Sequence, residues 1–365
     1  MSTSDPNAGP AGPTGTSVPA DAVTVSGHAE VVRVATDPVR FSNAASRFLQ
    51  IPNGLDGAEH DRFRALVDRY FTPGALAEFE PACRRVACEL TGSIRPGEVF
   101  DAVGGLGGRF AVRAQVAWLG WTPALEEPLL EWLKDKFESM RSGDPAHAED
   151  AARRFDALVL PLLEERRDSD GSRDVTDRLL HDTSAGRPLT DAEVVSILRN
   201  WTGGDLASIA QCVGVIVHDL AAHECIDRRL RDESSDPRFD EGLEELLRRN
   251  DPFTSSRRVA TCPVEAGGSR VRTGQRVTLD WRAANRDPGV FRDPDAFDPH
   301  GNAAHNLVYG VGPHVCPGRP LVRMELRELV RALHSDFRRL VLAGAPVEER
   351  PPMGGFRSVP VRALA

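Results

Sequence analysis

The sequence predicts a mainly α-helical protein with small β-sheets, and three observations carry that prediction. Apolar residues recur at helical spacing through residues 58–247. After Asn250 the texture changes to short alternating segments broken by glycine turns. A final run, "RPLVRMELRELVRALHSDF", restores the helical period, with Leu321, Met324, Leu329 and Leu333 among its apolar positions. The 365 residues suffice for one large domain or two ordinary ones.

Taken in order, residues 1–20 ("MSTSDPNAGPAGPTGTSVPA") hold almost no large apolar side chain, which predicts a disordered tail. "AEHDRFRALVDRYF" reads as a helix that ends at Thr72-Pro73. "ALEEPLLEWLKDKFESM" and "HAEDAARRFDALVLPLLEERR" read as amphipathic helices separated by the break "RSGDP". The next segment opens on a capping-box pair, Thr190 and Glu193, and its apolar run is nearly continuous, so it should be a central, buried helix. Gly203-Gly204 in its middle suggests a bulge, something bulky close to the backbone, or close helix–helix packing. "RRVATCPVEAGGSRVRTGQRVTLDW" predicts the small sheets. "ANRDPGVFRDPDAFDPHGNAAHN" is irregular for more than twenty residues, a length that in a compact domain points to function.

Composition narrows the classes. A formal net charge of −9 argues against nucleic-acid binding by the molecule as a whole. Among 45 basic residues only Lys134 and Lys136 are lysines, a bias of genome composition. The six cysteines form no C-x-x-C pair, so they read as buried or idle thiols in a reducing compartment. No apolar run approaches the ~20 residues of a membrane span, and no secretion signal is visible, so a cytoplasmic chain without a membrane segment is expected.

"YGVGPHVCPGRP" carries the chemistry. Glycines free the backbone to aim several N–H groups at the Cys316 sulfur, and the following helix adds the positive end of its dipole. A lone thiolate held this way suits an axial metal ligand, and haem iron is its main user. A nucleophilic cysteine with His314 as base, or a buried thiol in a Gly-rich turn, are the other readings of the loop alone.

The segment resembles the haem-binding loop of cytochromes P450, F-G-x-G-x-H-x-C-x-G, through Tyr309, Gly310, Gly312, His314, Cys316 and Gly318. "EELLR" is similar to the family's E-x-x-R pair, as Glu245 and Arg248, and "AEHDRFR" to its H-x-x-x-R helix, as His60 and Arg64. Arg258 in "RRVAT" matches the arginine of the strand after E-x-x-R, and "AANRDPGVFRDPDAF" resembles the segment ahead of the haem loop. These five patterns stand in family order from about residue 25 to the end. The resemblance implies a single P450-type haem domain over residues 21–365. It implies haem b with Cys316 as thiolate ligand, and His60, Arg64, Arg258 and His314 on the propionates. Buried carboxylates need such cationic partners. Glu245 and Arg248 would brace the core behind the cysteine.

Departures from the family pattern are informative. Most P450s carry A-G-x-[D/E]-T in the central helix, whose acid and threonine help deliver protons to iron-bound oxygen. This chain reads Thr202, Gly203, Gly204, Asp205, Leu206. Asp205 supplies the acid, and Thr202 offers a hydroxyl one turn from Leu206 on the same face, whereas Ser208, two residues on, is expected to point elsewhere. The substrate, an ordered water or Thr202 would then replace the missing hydroxyl, or the enzyme uses peroxide or rearranges its substrate. Gly301 falls where relatives have an arginine completing the Glu245–Arg248 cluster, with His300 as the substitute. Tyr309 puts a hydroxyl beside the cysteine loop, which needs a partner if buried. The N-terminus looks shortened, leaving part of the substrate channel open or covered by another subunit.

The resulting expectation is a monooxygenase oxidising a small organic molecule. Its pocket would be lined by residues 201–207, Phe253 and Thr254. With no flavin or iron–sulfur segment it would take electrons from outside. Arg319, Arg323, Arg327 and Arg331 form a stripe at spacing four, joined by Arg62 and Arg69, which suits an acidic ferredoxin-type donor unless acids such as Glu325 and Glu328 balance it. The alternatives are an atypical haem-thiolate enzyme (peroxide-using, dehydratase or isomerase) and a non-catalytic haem or ligand-binding protein.

Overall fold

The computed structural model describes residues 22–46, 48–171, 173–350 and 353–365. The tail expected over residues 1–20 lies outside the described residues. The longest element is the central helix, Asp191–Ala222. Its start is fixed as expected. The Thr190 hydroxyl accepts from the Glu193 N–H at 3.3 Å, and the Glu193 carboxylate accepts from the Thr190 N–H at 2.8 Å. The helix runs unbroken through Gly203-Gly204, so no bulge forms there. By length and composition it could cross a membrane, but 72% of its apolar window is buried inside the molecule. It is the axis of the main apolar core, packed by the helices Gly108–Leu119, Glu126–Ser142, Pro145–Arg166 and Arg319–Asp336, with Glu80–Gly92 against the first and last of these.

The amphipathic runs form helices where the sequence places them. The break "RSGDP" ends one helix at Ser142, with Gly143 left-handed at φ 63°, and starts the next at Pro145, capped by Asp144. "AEHDRFRALVD" lies in the helix Gly57–Asp68, which tightens into a 3-10 turn before Thr72 caps a short helix at Pro73.

After Asn250 the chain builds small sheets. A four-stranded sheet orders Val23–Val25, Arg276–Asp280, Ser255–Ala260 and Phe41–Ser42, the first pair parallel and the others antiparallel. A three-stranded antiparallel sheet joins Val99–Asp101 to Pro360–Leu364 and Arg339–Leu342. The first sheet and the helix His28–Ala35 enclose a second, smaller apolar core that includes Val34, Phe41, Val277, Leu279, Trp281 and Leu307.

The irregular stretch after Trp281 is pinned rather than loose. Arg248, with no exposed surface, donates to the carbonyls of Asn285 (2.7 Å) and Pro294 (3.0 Å) and holds Glu245 through two bonds of 2.7 and 2.8 Å. The third partner of that pair is Asn302, whose amide donates to Glu245 at 2.8 Å. His300, the expected substitute, instead faces Glu241 at 2.9 Å near the surface. His300 and Asn302 stand two positions apart on the short helix Pro299–Asn302, and that offset decides which side chain points inward.

Candidate active site

The cysteine loop is shaped by two left-handed glycines, Gly310 (φ 71°) and Gly312 (φ 80°). At Gly312 a Cβ would also meet Thr36 Cγ2 at 3.0 Å and the Ala35 carbonyl at 3.1 Å. The Cys316 N–H donates to the Tyr309 carbonyl at 2.9 Å, closing the loop. Burial pushes the Cys316 thiol up, while the N–H groups of Gly318 and Arg319 and the charge of Arg64 pull it down.

Beside the loop lies a basic cluster short of an anion. The rings of His60 and His314 stand 4.2 Å apart, and both Nε2 atoms are buried with no hydrogen-bond partner. His314 has only Asp56 nearby, at 3.4 Å. Arg258, 6% exposed, hydrogen-bonds among the described residues to Ser256 Oγ and the Arg257 carbonyl. Burial lowers its pKa to about 10. Burial, with the charges of His60 and Arg258, takes His314 down to about 4. His60 meets Asp61 through Nδ1 at 3.1 Å, so each imidazole keeps a buried Nε2 without a hydrogen bond, and with Arg258 beside them the cluster fits an anionic ligand. Arg64 plays a different part. It donates to the loop carbonyls of Pro313 (3.0 Å) and Val315 (2.7 Å) and pairs with Asp68 at 2.6 Å.

The central helix supplies the opposite side, with a register the sequence did not reveal. Gly204 is exposed in the middle of a buried helix, and nothing lies within 4 Å of where its Cβ would be. Asp205 and Ser208 are also part-open, on either side of residues with little or no exposure. Gly204 and Ser208 are one turn apart, so they share a face, and that face is the open one of this stretch of helix. Thr202 and Leu206 are not on it. Both have zero exposure, and the Thr202 hydroxyl accepts from the Gln115 amide at 3.2 Å. Leu206 belongs to the main core. The hydroxyl on the open face is Ser208, which has no hydrogen-bond partner among the described residues. Placing a motif by its glycines pointed to Leu206; only the packing shows which face is open.

Asp205 carries one buried oxygen without a partner, and burial raises its pKa to about 7. Glu325, on the helix after the cysteine loop, is fully buried with both oxygens unpartnered; burial and the charge of Asp205 push it well up. Asp205 also lies within electrostatic reach of the Cys316 sulfur. Of the residues expected to line the pocket, Phe253, Thr254 and Asp205 are half-buried and Gly204 is exposed, while Trp201, Thr202, Gly203, Leu206 and Ala207 are buried. The Tyr309 hydroxyl is buried without a partner, and the Arg319 guanidinium lies 5.1 Å from its ring centre.

The stripe of arginines after Cys316 is largely neutralised across the helix boundary. Arg319 and Arg323 both bind Glu244, at 2.9 and 2.5 Å, and Arg327 binds Asp240 at 2.8 Å. Arg331 reaches Glu328 at 3.4 Å. Glu325, one of the acids expected to balance them, points into the interior instead. Two guanidinium groups on one carboxylate leave a local positive surplus.

A lone sulfur bonded by the N–H groups of Gly318 and Arg319 beside a buried basic cluster is the kind of site that suits a thiolate metal ligand with an anionic group next to it. The comparisons with known proteins agree. Residues 137–361 match the cytochrome P450 family model, and this chain belongs to that family. It is 29% identical over 360 residues to the cyclomarin C epoxidase CymV of Salinispora arenicola, covering 92% of this chain and 89% of that one. It is 29% identical over 330 residues to the erythromycin C-12 hydroxylase of Saccharopolyspora erythraea, covering 86% and 82%. Its fold superposes on the hydroxylase HmtN of himastatin biosynthesis with a TM-score of 0.82 at 28% identity, over 94% and 91% of the two chains. The mainly helical P450 fold with small sheets is therefore as the sequence predicted. The protein is a P450-type monooxygenase, an oxidoreductase of a family that works with haem iron.

Proposed function

We propose that this enzyme oxidises a small organic molecule with O2 and electrons from an external acidic ferredoxin-type donor, using haem b held by the Cys316 thiolate within one haem domain over residues 21–365. The observation that supports it best is the coincidence of a buried basic cluster, His60, His314 and Arg258, whose two imidazole Nε2 atoms make no hydrogen bond, with the N–H-bonded sulfur of Cys316. Those basic groups would hold the haem propionates. Arg64 would act mainly by fixing the loop carbonyls, with its remaining donor capacity toward a propionate. When bound, haem supplies the activation of oxygen and its transfer to substrate.

The chain's own residues do the rest. Burial raises the Cys316 pKa, and the N–H groups of Gly318 and Arg319 with the Arg64 charge offset part of that, so the loop favours the thiolate that a bound iron would complete. Gly204 leaves room above the site for the group and for a small ligand. Asp205, with a pKa near 7, is poised to take up and release protons near neutral pH. Ser208 presents a free hydroxyl on the same face, able to accept from one partner and donate to another. Thr202, bonded to Gln115, positions the helix. The expectation that Leu206 leaves the site without a hydroxyl is thus replaced by Ser208. A cytoplasmic location, with no membrane or nucleic-acid partner, goes with this reading.

The deciding experiment is the optical spectrum of the reduced protein with carbon monoxide. A strongly red-shifted Soret band is expected, as a thiolate ligand gives. An unshifted haem band would remove Cys316 as thiolate ligand, and absence of haem would remove the whole reading. Turnover driven by peroxide but not by O2 with reductant would replace the monooxygenase assignment with a peroxide-using one.

A further inference from the structure

The chain's two lysines lie two residues apart on the helix Glu126–Ser142, and they differ sharply. Lys134 is exposed. Lys136 is on the inner face, with Trp132 one turn before it, and its ammonium lies 5.2 Å from that indole's centre. It reaches the central helix at Gly203, where a Cβ would stand 3.0 Å from Nζ. The glycine thus leaves the space the ammonium occupies. Gly204, the open position of the central helix, is the next residue.

No carboxylate faces this ammonium. Among the described residues Lys136 has no hydrogen bond and no ion pair, and the one charge acting on it is another cation, Arg199. Arg199 is itself satisfied by Asp156 at 2.6 Å. The Lys136 side chain is half-buried. Open space adjoins its contact with the central helix, since nothing lies within 4 Å of where a Cβ would stand on Gly204, the residue after Gly203. Burial lowers its pKa to about 8, so it is still mostly charged at neutral pH. An unpaired buried cation is costly and persists where something else neutralises it.

We infer that Lys136 anchors the substrate, and that the substrate carries a carboxylate which its ammonium binds above Gly203-Gly204. This deepens the monooxygenase reading and rests on it for the location of the substrate. One ammonium against an indole and a bare glycine backbone matches a single negative charge. A phosphate dianion would leave one charge unbalanced, since Arg199 is already engaged. Holding the acid end at the shoulder of the helix would direct the other end of the molecule along the face of Gly204 and Ser208.

Two measurements test this, with laurate and 4-phenylbutyrate as probes and their methyl esters as uncharged matches. The first is acetylation of the lysines in the haem-loaded protein, read by mass spectrometry, with Lys134 as internal reference. The acids, but not the esters, are expected to protect Lys136 and leave Lys134 unchanged. The second is equilibrium binding by optical titration of wild type, Lys136→Met and Lys136→Arg. The acids should bind at least about tenfold tighter than the esters in wild type, as a charge-assisted bond implies. Lys136→Met should erase that preference and Lys136→Arg keep it. Equal binding of acid and ester, a preference that survives in Lys136→Met, or unchanged acetylation at the highest soluble acid concentration each overturns the inference. A missing thiolate band in the carbon monoxide spectrum would instead sink the haem reading, while lysine protection would still be readable.

Discussion

At the scale of single residues, the site turns on which hydroxyl meets the open face of the central helix. Ser208→Ala should keep the thiolate spectrum and lower the product formed per electron pair, because it removes the free hydroxyl one turn from Gly204. Leu206→Thr should not raise coupling. It places a hydroxyl in the main core and should cost roughly 1–3 kcal/mol of stability. Product and peroxide yields in both variants, with thermal melts, check the pair; improved coupling in Leu206→Thr would return the site to that position. The cysteine, the two histidines and Arg258 were legible in the sequence because each belongs to a short local pattern. Ser208, Lys136 and Glu325 were not, because their meaning depends on which face of a helix another element covers. The swap of His300 for Asn302 beside Glu245 has the same cause: a turn sets the direction of a side chain, and spacing alone does not.

At the scale of elements, the cysteine loop depends on its glycines and the central helix on its cap. Gly312→Ala combines a left-handed backbone with contacts of 3.0 and 3.1 Å to Thr36 and Ala35. It should destabilise the fold by about 1–2 kcal/mol and shift part of the carbon monoxide band to the unshifted form. Glu193 gives a pH dependence. Its bond to Arg187, with the Thr190 N–H, lowers its pKa from the ordinary 4.5 to about 2. A depressed carboxylate contributes stability that is present above 4.5 and lost as the pH falls toward 2. Glu193→Gln should therefore lower the melting temperature near neutral pH and flatten its fall over that acid range. An unchanged slope would show that the capping box does not carry it. This cap was readable from Thr190 and Glu193 alone, whereas the packing of Gly203 under Lys136 required the neighbouring helix.

At the scale of the whole molecule, charge is organised between elements rather than along them. The arginine stripe reads as a basic patch in sequence, yet Glu244 and Asp240 on the helix Phe239–Arg249 neutralise most of it. No spacing rule links residues 244 and 319. Glu244→Gln frees two guanidinium groups at once. Reduction by an acidic ferredoxin should then become faster at low ionic strength and lose that gain at high salt. The melting temperature should fall, because Glu244 is nearly buried. Reduction rates insensitive to salt in both proteins would place the donor elsewhere.

The cysteine loop rests on the smaller of the two cores. Gly312 sits on Ala35 and Thr36, at the end of the helix His28–Ala35, and that helix is tied in turn to Asp287 and to the His305 carbonyl. The smaller core can therefore act as a separate cooperative unit whose opening frees the loop while the helical body stays folded. Amide exchange should reveal it as protection lost together across residues 28–35 and 310–316 at lower free energy than in the central helix. The enzyme's first mode of ageing would then be a change at the sulfur ligand, seen by spectroscopy well before any loss of helix.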